Sequence, residues 1–386
     1  MGKGSASFGK ENSYIIQTWR LVQRKQTTSI PKSWLTNQTN NHMRAIAIII
    51  FLVSNLTCFG QQKHLINQVT EQTKIKHLVF FGRDREKIHD QSFLNTKNIV
   101  GAQLKYMWRE LEPTENKYNL ELIQKDLDFL TSKGKKLFIQ IQDVTFDTSF
   151  AKPIPDYLIT DKKYHGGMNI QYETNDKDEI TEVGGYVARR WDDAVAERFG
   201  KLLIVLSNRF DGQIEGINLP ETSIEFGNTG KLYPNGFSPE TYRHAIINYM
   251  TMLKNSFSHS TIILYANFMP AESPKRASKF YLESLYEFAS KNRIGMGGPD
   301  ILVYHQPHMN HSYKFLRQYK ETIISGLAVQ DGNYEVMNPN TGKQVTIKEI
   351  YDFANEYLGL EYIFWDAQEP YYTDTVLPFL RSADKK

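Results

Sequence analysis

The sequence predicts a single α/β domain, a (β/α)8 barrel with loop insertions over one face, and three observations predict it. Eight short apolar stretches alternate with helix-spaced amphipathic ones between residues 77 and 365, the pattern of a parallel sheet covered by helices. Most of the apolar stretches run straight into polar or acidic residues, and in this fold the C-terminal strand ends carry the chemistry. The 326 residues beyond Gly60 suffice for one such barrel with insertions.

In order, the first strand is His77 to Gly82 (HLVFFG) and the second is 98–107 (NIVGAQLKYM). Residues 120–132 have helical spacing and stop at Gly134, a residue that ends helices because it adopts the left-handed conformation without strain. The third strand spans 136–144, with Phe138, Gln140 and Gln142 alternating onto one side. Residues 145–185 form a long polar excursion marked by two Gly-Gly pairs. An amphipathic helix from Trp191 to Phe210, closed by Asp211-Gly212, leads into the fourth strand within IEGINLPETS (214–223). Residues 242–257 are helical, and TIILYAN (261–267) is the fifth strand. After a helix at 278–292, GMGGPD (295–300) reads as a turn and ILVYH (301–305) as the sixth strand. A helix at 312–320, a seventh strand at 323–330, a helix at 347–358 and an eighth strand at 361–365 complete the set.

The start of the chain reads differently. Residues 1–42 are polar, without apolar period, and are expected to be an upstream extension, disordered or mis-assigned. Met43-Arg44, the apolar run Ala45 to Val53 and the small-x-small step Cys58-Phe59-Gly60 have the layout of a signal peptide at 43–60. The run is far shorter than the roughly 20 residues a membrane span needs. The domain therefore occupies 61–386, and the protein is expected to be exported to the periplasm, the cell surface or the medium. Residues 1–60 hold seven Lys or Arg and one acid, against +3 for the whole chain, which leaves the domain near −3. The basic balance belongs to the leader and gives no reason to expect nucleic acid or an anionic membrane as partner. Cys58 is the sole cysteine, so the mature protein relies on its core and not on disulfides.

If the strands are right, polar side chains converge at one mouth. Trp108, Arg109 and Glu110 follow the second strand, Gln142 and Asp143 end the third, and Glu221 and Glu225 follow the fourth. Asn267 ends the fifth; His305, Gln306 and His308 follow the sixth; Gln330 and Asp331 follow the seventh; Trp365, Asp366, Gln368 and Glu369 follow the eighth. Acids and amides bond hydroxyls and indoles stack on sugar rings, so the set suits a polyhydroxylated substrate. His305, His308 and His311 are too loosely spaced for a metal expectation, and GMGGPD lacks the Lys-Ser/Thr ending of a phosphate loop. No Gly-x-Ser-x-Gly is present, so a serine triad is not supported. Neither metal nor cofactor is expected.

WRELEPTENKY (108–118), followed by a helix and GKKLFIQI (134–141), resembles the second and third strand region of retaining (β/α)8 glycoside hydrolases, the cellulase-like and β-galactosidase-like clan. The resemblance spans about residues 75–370 as a pattern. It implies an acid/base Glu ending strand four, a nucleophile ending strand seven and a Trp ending strand eight; Glu221 and Trp365 match. The chain departs from the clan in having Pro220 before Glu221, where Asn is usual, and Asp331 where Glu is usual. Glu335, Asp366 and Glu369 are reserves for the nucleophile.

The expectation is a glycoside hydrolase with Glu221 and Asp331 catalytic. One carboxyl keeps its proton for the leaving oxygen while the other stays ionised. Trp108, Arg109, Gln142, Asn267, His305, Gln330, Trp365 and Glu369 would bind the carbohydrate. The alternative is a non-catalytic glycan-binding barrel, and a second carboxylate facing Glu221 discriminates the two.

Overall fold

A computed structural model describes residues 75–382 apart from 176, 228 and 273–279. The upstream extension and the signal peptide lie outside the described residues.

The strands among the described residues are β1 (Lys76–Gly82), β2 (Ile99–Met107), β3 (Lys136–Gln142), β4 (Val144–Thr145), β5 (Met168–Thr174), β6 (Ile180–Ala188), β7 (Gly216–Leu219), β8 (Thr261–Tyr265), β9 (Gly295–Gly298), β10 (Ser325–Val329) and β11 (Tyr362–Asp366). Eight of them, all but β4, β5 and β6, close in sequence order into one parallel barrel. The closure pairs β11 with β1, setting Phe80 opposite Asp366. The predicted (β/α)8 barrel is therefore the observed fold.

Two layers of core follow from the strand alternation. Leu78, Phe80, Phe138, Ile263, Tyr265, Ala328, Tyr362 and Phe364 fill the barrel interior. The alternate residues, Val79, Leu137, Ile139 and Trp365 among them, pack outward into the larger cluster formed with the helices. Polar side chains in the interior bond one another: Gln103 Nε2 donates to Asn218 Oδ1 and to the Tyr265 hydroxyl, both at 2.9 Å. The main helices have sequence-readable starts. Asp192 caps Asp193–Phe210 by accepting from the backbone N–H groups of Ala194 and Val195. Ser238 caps Pro239–Ser256, with proline in the first turn, where its missing N–H is no loss.

The sixth strand corrects the expectation. It is Gly295–Gly298, the segment read as a turn, and not 301–305. A Cβ on Gly297 would sit 2.0 Å from the Gly326 carbonyl oxygen of β10 and 3.1 Å from the Ile263 side chain of β8. Backbone approach at that distance excludes any side chain, so the strand carries glycines and shows no apolar alternation. The excursion at 145–185 is also more ordered than expected, since β4, β5 and β6 form a three-stranded antiparallel sheet in the order β4-β6-β5. No helix among the described residues is long and apolar enough to cross a membrane.

Candidate active site

Glu221 stands two residues beyond β7, the fourth barrel strand, and its backbone is held by Arg190 and, through the next residue, by Tyr242, Tyr265 and Phe268. Arg190 Nη1 donates to the Glu221 carbonyl oxygen at 2.9 Å and to the Tyr242 hydroxyl at 2.7 Å. Tyr242 donates in turn to the Thr222 carbonyl oxygen at 3.0 Å. Thr222 donates its backbone N–H to the Tyr265 carbonyl and its hydroxyl to the Phe268 carbonyl. Arg190 is itself held by Asp143, just past β3, through two bonds of 2.9 and 2.6 Å. Arg190 and Asp143 are 1% and 0% exposed, so this is a bidentate ion pair in a dry setting.

The Glu221 side chain accepts a bond from Asn267 Nδ2 to Oε2 at 2.7 Å, and Asn267 is oriented by accepting from the Phe268 N–H. Burial raises the Glu221 pKa to about 7, and the nearby charge of Asp300 adds to the rise. The Asn267 bond and the cations of Lys105 and Arg190 oppose it without cancelling it. Asp300 follows the glycine strand β9. Its Oδ1 accepts from Asn333 Nδ2 at 3.0 Å, and its carbonyl oxygen accepts from the Tyr313 hydroxyl at 3.1 Å. Asn333 Oδ1 accepts the backbone N–H groups of Ile301 and Gln330, which locks the loops after β9 and β10 together. Burial raises the Asp300 pKa and the Asn333 bond restrains it. An asparagine amide thus steadies each of the two carboxyls, and their charges oppose each other.

A second acidic pair lies at the ends of β10 and β11. Burial raises the Asp366 pKa to about 7, with the charge of Asp331 adding and that of Lys105 opposing. Asp331 is raised by burial and by Glu335. Lys105 projects from β2 with Nζ 5.0 Å from the centre of the Phe80 ring, and Phe80 neighbours Asp366 across the β1–β11 pairing. Its charge therefore acts on Glu221 and on Asp366 at once.

The predicted site residues divide. Glu221 and Asn267 are brought together. Asp331 answers to Glu335 and Asp366, and the carboxylate bearing most strongly on Glu221 is Asp300. Gln142 is buried, shares the inward face of β3 with Phe138, and its Oε1 has no hydrogen-bond partner among the described residues. Gln330 donates its backbone N–H to Asn333. His305 Nδ1 lies 2.6 Å from His308 Nδ1. Arg109 is spent on Asp156 and the Lys152 carbonyl. Glu369 accepts from the hydroxyl and backbone N–H of Thr373. No group of three or more His, Cys, Asp or Glu side chains among the described residues is arranged to hold a metal.

Trp108 and Trp365 are corrections. Both are 0% exposed and cannot stack on a sugar. Trp108 donates to Glu112 Oε2 at 3.0 Å and meets Phe199 edge to face. Trp365 alternates to the outer side of β11 and donates to His77 Nδ1 at 3.1 Å. Trp365→Ala should lower stability by about 3–5 kcal/mol, the range for truncating a buried aromatic, while glycan affinity of the folded fraction holds. Denaturant unfolding beside binding titration checks this; lost affinity with unchanged unfolding would contradict it. Glu112, in the stretch that carried the resemblance, is a structural residue paired with buried Arg198.

Sequence reasoning missed Asp300, Asn333, Arg190 and Lys105. Asp300 left a usable signal, since a carboxylate after four residues that could form a strand fits the same strand-end rule as Glu221. Arg190 left none, because its partner lies 47 residues away.

Fold and site together define a (β/α)8 barrel with carboxyls of raised pKa gathered at the C-terminal ends of its strands. No protein family model matches the chain, and no curated protein does. Among solved structures it is similar to xylanase 10B from Thermotoga petrophila RKU-1 in complex with xylobiose. That match has 12% identity and a TM-score of 0.45 and covers 77% of this chain and 83% of that one. It is also similar to a GH10 endoxylanase retrieved from a sugarcane soil metagenome, at 12% identity and a TM-score of 0.45 over 82% and 99% of the two chains. Likeness at that level carries no argument about chemistry, and the barrel rests on its own strand order.

Proposed function

We propose that this protein is an exported glycoside hydrolase that cleaves a glycosidic bond in an oligo- or polysaccharide, with Glu221 as proton donor and Asp300 as the ionised partner. The observation that carries the reading is Glu221 itself, a strand-end carboxyl whose pKa is raised to about 7 and whose charge is opposed by a second strand-end carboxyl. At neutral pH a carboxyl with that pKa still delivers a proton to a leaving oxygen. Asp300 starts from the lower ordinary value, and although burial raises it, the Asn333 amide opposes that rise by bonding the ionised form. Asp300 then attacks the anomeric carbon or activates a water. Carboxyl separations of about 5–5.5 Å go with retention and about 6.5–9.5 Å with inversion.

The test is a panel of polysaccharides and aryl glycosides with Asp300→Asn and Asp331→Asn alongside the unaltered protein. Asp300→Asn should lower kcat by about 10²-fold or more, with Asp331→Asn far milder. The reverse order would return the partner role to Asp331. Binding of a glycan without any cleavage would instead make this a glycan-binding barrel. Export is supported by the leader pattern of residues 43–60. N-terminal sequencing of secreted protein should begin near Gln61, and intact residue 1 on cytoplasmic protein would contradict export.

A further inference from the structure

A cavity of about 10 Å³ lies against Asp300 and is lined also by Asn267, His308, Ser312 and Tyr313. One water needs roughly 10–15 Å³ of such space, so the cavity fits one water and nothing larger. His308 and Ser312 are each 3% exposed, and His308 Nε2 and Ser312 Oγ have no hydrogen-bond partner among the described residues. Buried polar atoms in native proteins are paired, by ordered water where protein does not reach.

The other side of His308 is engaged. Its Nδ1 lies 2.6 Å from the Nδ1 of His305, a partly exposed residue. Two ring nitrogens that close hold one hydrogen between them, one donating and the other accepting. Burial lowers the pKa of both rings, that of His308 to about 3, so both are neutral and each carries one hydrogen. The pair then has two arrangements. With the shared hydrogen on His308, its Nε2 is a bare acceptor; with it on His305, the Nε2 of His308 carries hydrogen and donates. A water and the Ser312 hydroxyl can answer either arrangement.

We propose that one ordered water in this cavity joins Asp300 to His308, and that His308 and His305 pass protons between that water and the surface. Once Asp300 has taken a proton from the water it activates, that proton passes to the cavity water, which gives one of its own to His308 Nε2. The His308 Nδ1 hydrogen crosses to His305 Nδ1, and His305 Nε2 releases its hydrogen to solvent. One proton leaves Asp300 and one enters solvent; run in reverse, the route reloads the carboxyl. Its use rests on the hydrolase reading above: Glu221 and Asp300 work with one proton between them, and a bound glycan covering the mouth leaves a path through the protein to set that state.

Crystal structures of the unaltered protein and of Ser312→Ala, with kinetics of His308→Gln and Ser312→Ala, test the route. One water should appear within hydrogen-bond reach of His308 Nε2 and Ser312 Oγ, and it should be lost or displaced in Ser312→Ala. A glutamine amide holds a water but cannot pass a proton, so His308→Gln should lower kcat by about a hundredfold with KM held. The solvent deuterium isotope effect on kcat should rise in His308→Gln, because proton exit becomes limiting, whereas a purely structural loss would leave it unchanged. Ser312→Ala, the milder change, should show a smaller loss with the same rise in isotope effect. Absent water density, an unchanged kcat in both variants, or a loss with an unchanged solvent isotope effect overturns the route while leaving the hydrolase reading intact. If the unaltered protein cleaves no glycan, the hydrolase reading falls and the route falls with it.

Discussion

Glu221→Gln should abolish most turnover and at the same time make the protein more stable at alkaline pH. The loss follows from the missing proton and should reach 10²- to 10⁴-fold in kcat for substrates with poor leaving groups. Activated aryl glycosides, whose leaving oxygen needs no proton, should suffer much less. The gain follows from linkage. Burial first, then Asp300, raises the Glu221 pKa from 4.5 to about 7. Below pH 4.5 the folded and unfolded chains are both protonated at this residue, and its contribution to stability is fully present. As pH rises from 4.5 to 7 the unfolded chain gives up the proton while the folded one keeps it, so stability falls and then levels off. A tenfold difference in proton affinity between the two states is worth about 1.4 kcal/mol, so the ceiling is about 3 kcal/mol. The partly exposed edge of Glu221 lets water screen some of that. Asp366, also raised to about 7, adds a fall of the same sign that the substitution leaves in place. Glutamine keeps an oxygen for the Asn267 amide but has nothing to ionise. Urea unfolding at pH 4 and pH 8 should therefore show near-equal stability at the first and a more stable variant at the second. A variant less stable at pH 8 would overturn the buried, proton-holding description of Glu221. Intact turnover of poor leaving groups would end its role as acid.

Arg190→Ala should rank with Trp365→Ala among the most damaging single changes to the fold. It would strand the Asp143 carboxylate, 0% exposed, in a dry setting. Breaking a buried ion pair from one side lowers stability by about 3–5 kcal/mol. It would also release the Glu221 carbonyl and the Tyr242 hydroxyl from their shared donor, so the surviving folded fraction should lose kcat as the strand end shifts. The paired change Arg190→Met with Asp143→Leu removes both charges and should recover much of the stability but not the activity. Urea unfolding of the single and double variants measures this. A single-variant loss below about 1 kcal/mol would show that water reaches Asp143 and that the anchor is not dry.

The Asn267 and Asn333 amides show why the acidic mouth is not self-disrupting. Each donates to one oxygen of a carboxyl that has an acidic neighbour, and Lys105 supplies a cation acting on the two strand ends that carry Glu221 and Asp366. These partners come from strands and loops far apart in the chain. Their hydrogen-bond directions, not their sequence spacing, decide which carboxyl is steadied and which keeps its proton.

Seven of the eight barrel strands were legible in the sequence because each buries an apolar side chain on at least one layer of core. That requirement writes alternation or a short apolar run into the chain. Glu221 was legible for a related reason, since a strand that ends in a carboxylate puts it at the mouth whatever the neighbours are. The sixth strand was hidden because close backbone approach at Gly297 removes the side chains that would have marked it. Its concealment also hid Asp300. Tertiary structure alone decided the rest. The side of the strand taken by Trp365 depends on register, and a one-residue difference separates a sugar platform from a core indole. Arg109 went to Asp156 and Arg190 to Asp143 because of distances across the fold. Local periodicity records which face of an element is apolar; it does not record which polar groups meet once eight strands have closed, and the pairing of carboxyls at the mouth is decided by that meeting.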